Sequence, residues 1–307
     1  MSHPVLFHVG YHKTATTWMQ KRLFTERNGF RQVSDHGEVF GRIVRPHGLH
    51  FDPEPMRALL ATRRDEAARD GLAPVVSSEI LSGHPFYAGQ DSDVHADRIK
   101  AIASEARILI SIRNQMRILP SIYMQYLLRG GTLPPRAFFA GTEEPGYFGF
   151  DRRHFEYDRL VARYQELFGI ENVLVVTQES LKADMDTVSR RIARFAGNDR
   201  FDRLSEQDRS VQSPSYPEYA IPILRRINHL QRSTLNPVPV VSFGRTPYGL
   251  YKVAGYLLRL RASERALSHR RPASEQVQEQ FAGHYAESNR RLDALTKHQL
   301  DLSAYER

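Results

Sequence analysis

Residues 7–20 read FHVGYHKTATTWMQ, and the fold follows from how this stretch is divided. An apolar run from Pro4 to Val9 stops at Gly10, a short polar loop carries Lys13, Thr14, Thr16 and Thr17, and a helical pattern begins at Trp18. The order is strand, loop, helix start. Backbone N–H groups at a helix N-terminus lack intrahelical partners and the macrodipole is positive there, so the loop suits a phosphate or a sulfate. Lys13 adds a full charge and the threonines add donors.

Working outward, three more runs have the β-branched character of buried strands: Pro74–Ser78 (PVVSS), Arg107–Arg113 (RILISIR) and Val173–Thr177. Helical patterns fall between and after them, at Trp18–Phe24, Pro55–Asp70, Val94–Ala106, Met116–Leu128, Tyr157–Phe168 and Leu181–Ala196, most of them closed by glycine. The segment from Arg31 to Pro55, rich in Gly, His and Pro, reads as loop with short strands. Alternating strands and helices imply right-handed crossovers and a parallel sheet. The expected fold class is therefore α/β, a P-loop-like doubly wound parallel sheet flanked by helices over residues 1–202. A mainly helical extension follows over 203–307 (Pro217–Gln231, Leu250–Ser268, Ser274–Lys297), the whole of 1–307 forming a single domain. The irregular, aromatic segment Pro134–Gly149 is long enough to act as a lid.

Composition narrows the partners. Lys plus Arg number 43 against 35 Asp plus Glu, a formal charge of +8, which favours anionic ligands without naming one. The chain has no cysteine, which excludes a disulfide framework, a thiolate nucleophile and a Cys-based zinc site. The N-terminal MSHPVLFHVG lacks the basic start and long apolar core of a signal peptide, and no stretch reaches the roughly 20 apolar residues of a membrane span. A cytoplasmic protein is expected. The basic segment 250–271 could touch an anionic membrane surface, although a packed helix with a solvated face is the commoner meaning of such a pattern. No basic segment interleaves with aromatics as in a nucleic-acid module, so no nucleic-acid partner is expected.

In an open α/β sheet ligands gather at the carboxyl ends of strands, and three such ends carry polar groups here: Lys13 with its threonines, Glu79 and Arg113. The loop is not a Walker A motif. GYHKTATT lacks the second glycine of G-x-x-x-x-G-K-[ST] and places Lys13 three residues after Gly10. It resembles instead the 5′-phosphosulfate loop, P-K-[ST]-G-T-T-W, of sulfotransferases that use 3′-phosphoadenosine 5′-phosphosulfate (PAPS), with Lys13-Thr14-Ala15-Thr16-Thr17-Trp18 as the match. That family's second signature is an Arg at a strand end with a Ser eight residues on in the following helix; here these are Arg113 and Ser121. Looser likenesses are Phe168-Gly169, the QESL of residues 178–181, and Ser288-Asn289-Arg290-Arg291, a pattern of bacterial members.

The resemblance implies a set of roles. Cofactor contacts fall on His12, Lys13, Thr14, Ala15, Thr16, Thr17 and Trp18 around the 5′ end, with Trp18 on adenine, and on Arg113 and Ser121 at the 3′-phosphate. Arg245, in SFGRT, stands in for a third nucleotide contact whose usual segment is missing. Lys13 neutralises the leaving phosphate. Glu79, in the SSE of residues 77–79, is the base, as in carbohydrate-type sulfotransferases, with His84 the competing candidate. On spacing alone, Trp18 reads equally as core, Thr16 and Thr17 as helix caps, Glu79 as a capping or salt-bridged carboxylate, and Ser121 as a serine bonded to the preceding turn. Ala15 stands where the family usually has Gly, which narrows backbone freedom but leaves negative φ accessible. The acceptor would be a saccharide, a glycolipid or a small metabolite bearing a hydroxyl, less readily an amine, and no metal is required. A P-loop kinase or hydrolase, or a non-catalytic nucleotide- or membrane-binding protein, are the other classes.

Overall fold

A computed structural model describes residues 3–141, 149–210, 216–239 and 241–306. Five strands form one parallel sheet: β1 (Leu6–His8), β2 (Phe30–Ser34), β3 (Ala73–Ser77), β4 (Arg107–Ile112) and β5 (Val173–Thr177), in the order β2-β3-β1-β4-β5. β1 is central, bonded to β3 on one side and β4 on the other, so the loop that leaves its carboxyl end emerges where the chain order reverses. That is the ligand position of a doubly wound sheet.

Physical chemistry explains why these segments pair. β1 and β3 are almost wholly apolar and β4 is apolar but for Arg107 and Ser111, as central strands buried on both faces read; β5, at one edge of the sheet, is equally apolar and buried from Leu174 to Thr177. β2, FRQVS, is an edge strand with Arg31 and Gln32 less buried than their neighbours, which is why its pattern reads as loop in the sequence. The opening strand is shorter than its apolar run, Leu6–His8 rather than Pro4–Val9.

The chain divides into two compact units. The first contains residues 1–114, 153–212 and 285–307; the second contains 115–152 and 213–284. Residues 285–307, read from sequence as part of the helical extension, thus pack within the sheet-bearing unit. There Ser288 Oγ donates to the buried Asp158 carboxylate, Arg291 Nε donates to the same group at 2.6 Å, and Asn289 Nδ2 donates to the Glu306 carbonyl at 2.9 Å. The Ser-Asn-Arg-Arg pattern therefore fastens the helix Ala286–Leu295 to the helix Tyr157–Phe168.

Several helices are shorter than their patterns. Leu181–Ala196 is two helices, Gln178–Ala183 and Met185–Ala196: Asp184 is extended and its carboxylate caps the second by accepting from Thr187 N. Leu250–Ser268 and Ser274–Lys297 also divide, into Leu250–Leu257 with Arg261–Leu267 and Pro272–Phe281 with Ala286–Leu295. Of the Pro134–Gly149 segment, residues 135–140 are helical and 142–148 lie outside the described residues. Among the described residues no helix is long and apolar enough to cross a membrane.

Candidate active site

The loop after β1 rests on a buried polar layer. His8 Nδ1 lies 2.8 Å from Ser77 Oγ on β3 and Nε2 lies 3.0 Å from Ser111 Oγ on β4. Ser111 Oγ meets Thr14 Oγ1 at 2.7 Å, and Thr14 Oγ1 donates to the Tyr11 carbonyl at 2.5 Å. Three strands and the loop are thereby joined through one imidazole. Gly10 is required above it, since a Cβ there would come within 2.8 Å of His8 Nε2 and Thr16 Oγ1.

Complete burial pushes the His8 imidazole down to about 3, so it stays neutral in the folded protein. Between that value and the ordinary 6.5 the unfolded chain binds a proton that the folded chain does not. Stability therefore falls as pH falls through this window, with a His8 share of about 1.4 kcal/mol per pH unit. Urea denaturation at several pH values, on the natural chain and on His8→Gln, should show the acid-side slope reduced in the variant.

The loop backbone departs from expectation at one instructive point. Ala15 has φ +71° and Lys13 φ +68°, so both adopt a left-handed conformation with a Cβ present. Negative φ at Ala15, expected from sequence, is not adopted, although Ala15 is the residue from which the helical turn Thr16–Trp18 starts and such residues are ordinarily extended. Left-handed non-glycine residues cost about 1–2 kcal/mol and gather at functional loops. Ala15→Gly should stabilise the fold by about 0.5–1 kcal/mol, read as a rise in Tm of a few degrees at most.

Two residues of the QESL stretch hold, respectively, the loop after β1 and the end of β4. Gln178 Nε2 donates to the Lys13 carbonyl at 3.2 Å, and Glu179 accepts from Asn114 N at 3.2 Å and from Tyr305 Oη at 3.0 Å. Arg113 Nη1 reaches the Lys13 carbonyl by a long bond of 3.5 Å, while the Arg113 carbonyl accepts from Tyr157 Oη at 2.6 Å. Lys13 and Arg113, a hundred residues apart, thus meet at one backbone oxygen. Nothing in the spacing of QESL announces that its Gln and Glu would each secure one of these two strand ends.

At the end of β3, Ser77 bonds His8 and Ser78 Oγ lies 3.1 Å from His36 Nδ1. Glu79 opens the short turn Glu79–Ser82, partly exposed, and its carboxylate makes no hydrogen bond or ion pair among the described residues. Ser82 Oγ donates to the Gly10 carbonyl at 3.3 Å, which brings this turn against the loop. His84 packs edge-on against His12, their centroids 5.4 Å apart, and its Nδ1 accepts from Phe86 N at 3.2 Å. In a neutral imidazole that leaves the proton on Nε2.

Thr14 turns its hydroxyl into the layer beneath the loop, and Thr17 is exposed. Thr16 is buried, and its Oγ1 has no hydrogen-bond partner among the described residues. An unsatisfied buried hydroxyl beside Gly10, in a loop that also bears Lys13, fits an anion that the loop would hold. Trp18 sits in the hydrophobic core with Leu6, Met19, Leu23 and Val176, its Nε1 donating to the Asp208 carbonyl at 2.7 Å.

Ser121 and Arg245 belong to the second unit. Ser121 lies within the helix Gln115–Leu128 and donates to the Arg117 carbonyl at 3.3 Å, the bond to the preceding turn that its position suggests. Arg245 is exposed in a turn where it bridges Arg232.

A five-stranded parallel sheet with β1 central, flanked by helices, has the fold of the sulfotransferases. In particular, the chain is similar to a sulfotransferase from Alicyclobacillus acidocaldarius known from its crystal structure, with a TM-score of 0.53 and 19% identity over 99% of each chain. It also aligns with a mouse sulfotransferase, SULT7A1, solved in complex with PAP, at a TM-score of 0.34 and 14% identity over 96% of this chain and 89% of that one. No family model matches the chain, and no curated protein matches it in sequence.

Proposed function

We propose that the protein transfers a sulfuryl group from PAPS to a hydroxyl of a saccharide, glycolipid or small metabolite. The observation that carries this reading is the bond from the Arg113 guanidinium to the Lys13 carbonyl, which brings the segments of two separate sequence signatures together beyond the ends of β1 and β4. The buried hydroxyl of Thr16 in the same loop supports it, because that group is satisfied once an anionic oxygen lies there.

In this reading Lys13 and the loop amides neutralise charge on the leaving 5′-phosphate, as in phosphoryl transfer, where catalysis is mostly positioning and electrostatics. Arg113 holds the 3′-phosphate and so distinguishes PAPS from nucleotides that lack one. Glu79 takes the proton of the acceptor hydroxyl as its oxygen attacks sulfur. A carboxylate with no partner among the described residues is free to do so, whereas the His84 Nδ1 lone pair already accepts from Phe86 N. The donor is a co-substrate, and no metal enters the scheme.

The test is release of adenosine 3′,5′-bisphosphate from PAPS in the presence of pooled hydroxylated acceptors: saccharides, glycolipids, phenols. Acceptor-dependent release supports transfer. Release at the same slow rate with and without every pool, or none at all, overturns it.

A further inference from the structure

The helix Leu250–Leu257 in the second unit is apolar on two sides. Tyr251, Gly255 and, just beyond its end, Leu258 face inward, packed with Tyr219, Ala220 and Leu224. Leu250, Val253, Tyr256 and Leu257 face out, Val253 and Tyr256 being 58% and 68% exposed. A surface helix of a globular domain normally puts charge on its outer face, so an apolar outer face marks an interaction surface. The turn that leads into the helix is similar: Phe243 and Tyr248 are exposed, their carbonyls tied by the buried Gln231 amide at 3.1 and 3.2 Å.

The charge of this stretch of chain is one-sided. From Tyr219 to Ser263, 45 residues, there is no Asp or Glu, where the chain's own average of 35 in 307 would place about five. The same stretch has seven Lys and Arg, of which Arg226, Arg232, Arg245, Lys252 and Arg259 are exposed. A protein partner could meet the apolar residues alone. Apolar and aromatic side chains accompanied by cations, on a stretch with no acid between Glu218 and Glu264, are what an anionic bilayer surface attracts, the rings and aliphatics entering the interface and the cations lying at the headgroups.

We infer that this face docks the protein peripherally on anionic membranes. The inference does not depend on the sulfuryl-transfer reading. Sedimentation of the full chain with vesicles tests it, using phosphatidylcholine alone and phosphatidylcholine mixed with phosphatidylglycerol. The protein should pellet with the mixed vesicles, poorly with the neutral ones, and less as salt rises. Lys252→Ala should weaken binding about fivefold. Val253→Ser with Tyr256→Ser should weaken it at least about tenfold, both variants keeping the natural Tm because the side chains are exposed. Equal binding to both vesicles, no binding, or binding indifferent to both variants would overturn the inference. So would self-association through this face, seen by light scattering and lost in Val253→Ser with Tyr256→Ser, without vesicle binding.

Discussion

Glu79→Gln should lower sulfuryl transfer by roughly two to four orders of magnitude, the usual loss of a general base, and leave affinity for adenosine 3′,5′-bisphosphate within about twofold. The substitution keeps size and hydrogen-bonding capacity while removing the negative charge and basicity. It also costs the fold little, since the natural carboxylate has no partner among the described residues to leave behind. The kinetic signature matters as much as the size: kcat should fall and nucleotide Kd should not. His84→Gln serves as the comparison. If His84→Gln abolishes turnover and Glu79→Gln retains it, the base is His84, and its bond to Phe86 N is remade during catalysis.

Arg113→Ala should affect recognition in a different way. A charge-assisted bond to a phosphate is worth about 1.5–3 kcal/mol, so the variant should lose roughly 10- to 150-fold in affinity for adenosine 3′,5′-bisphosphate. Affinity for AMP should be nearly unchanged, because the 5′ end is held by the loop of residues 10–17. The bonds that the Arg113 carbonyl and the Asn114 amide make at this strand end do not involve the side chain removed. Calorimetric titration of each nucleotide against each protein separates these effects. Equal losses for both nucleotides would mean that Arg113 shapes the loop through the Lys13 carbonyl and does not read the 3′ end.

How much of this was legible in the sequence depended on the range over which each interaction acts. β4 and β5 stand out as β-branched runs because a strand covered on both faces has no use for polar residues. β2 does not, because its middle is less buried and carries Arg31 and Gln32, whereas β5 at the opposite edge is buried from Leu174 to Thr177. The loop after β1 was readable as residue types, and its backbone was not: sequence offers Ala15 without its φ, which is left-handed. Trp18 shows the same limit. Its spacing fits core and ligand equally, and the core position is decided by Asp208, nearly two hundred residues away, whose carbonyl receives the indole proton. His8 reads in sequence as an interruption of an apolar run. Its role becomes visible only when β3 and β4 bring Ser77 and Ser111 to its two nitrogens. Gln178 and Glu179 could be matched to a pattern, but their use, holding the two strand ends on which Lys13 and Arg113 lie, is a property of the assembled sheet.

The central claim is that the loop after β1 and the end of β4 together recognise a nucleotide phosphorylated at both ends. Thermal-shift titration of the natural protein with adenosine 3′,5′-bisphosphate, AMP and Mg-ATP measures this directly, since a ligand bound only by the folded state raises Tm according to its affinity. The 3′,5′-bisphosphate should give the largest shift, AMP a small one, and Mg-ATP no more than AMP. A shift for AMP or Mg-ATP equal to that for the bisphosphate, or no shift with any of the three, would contradict the account.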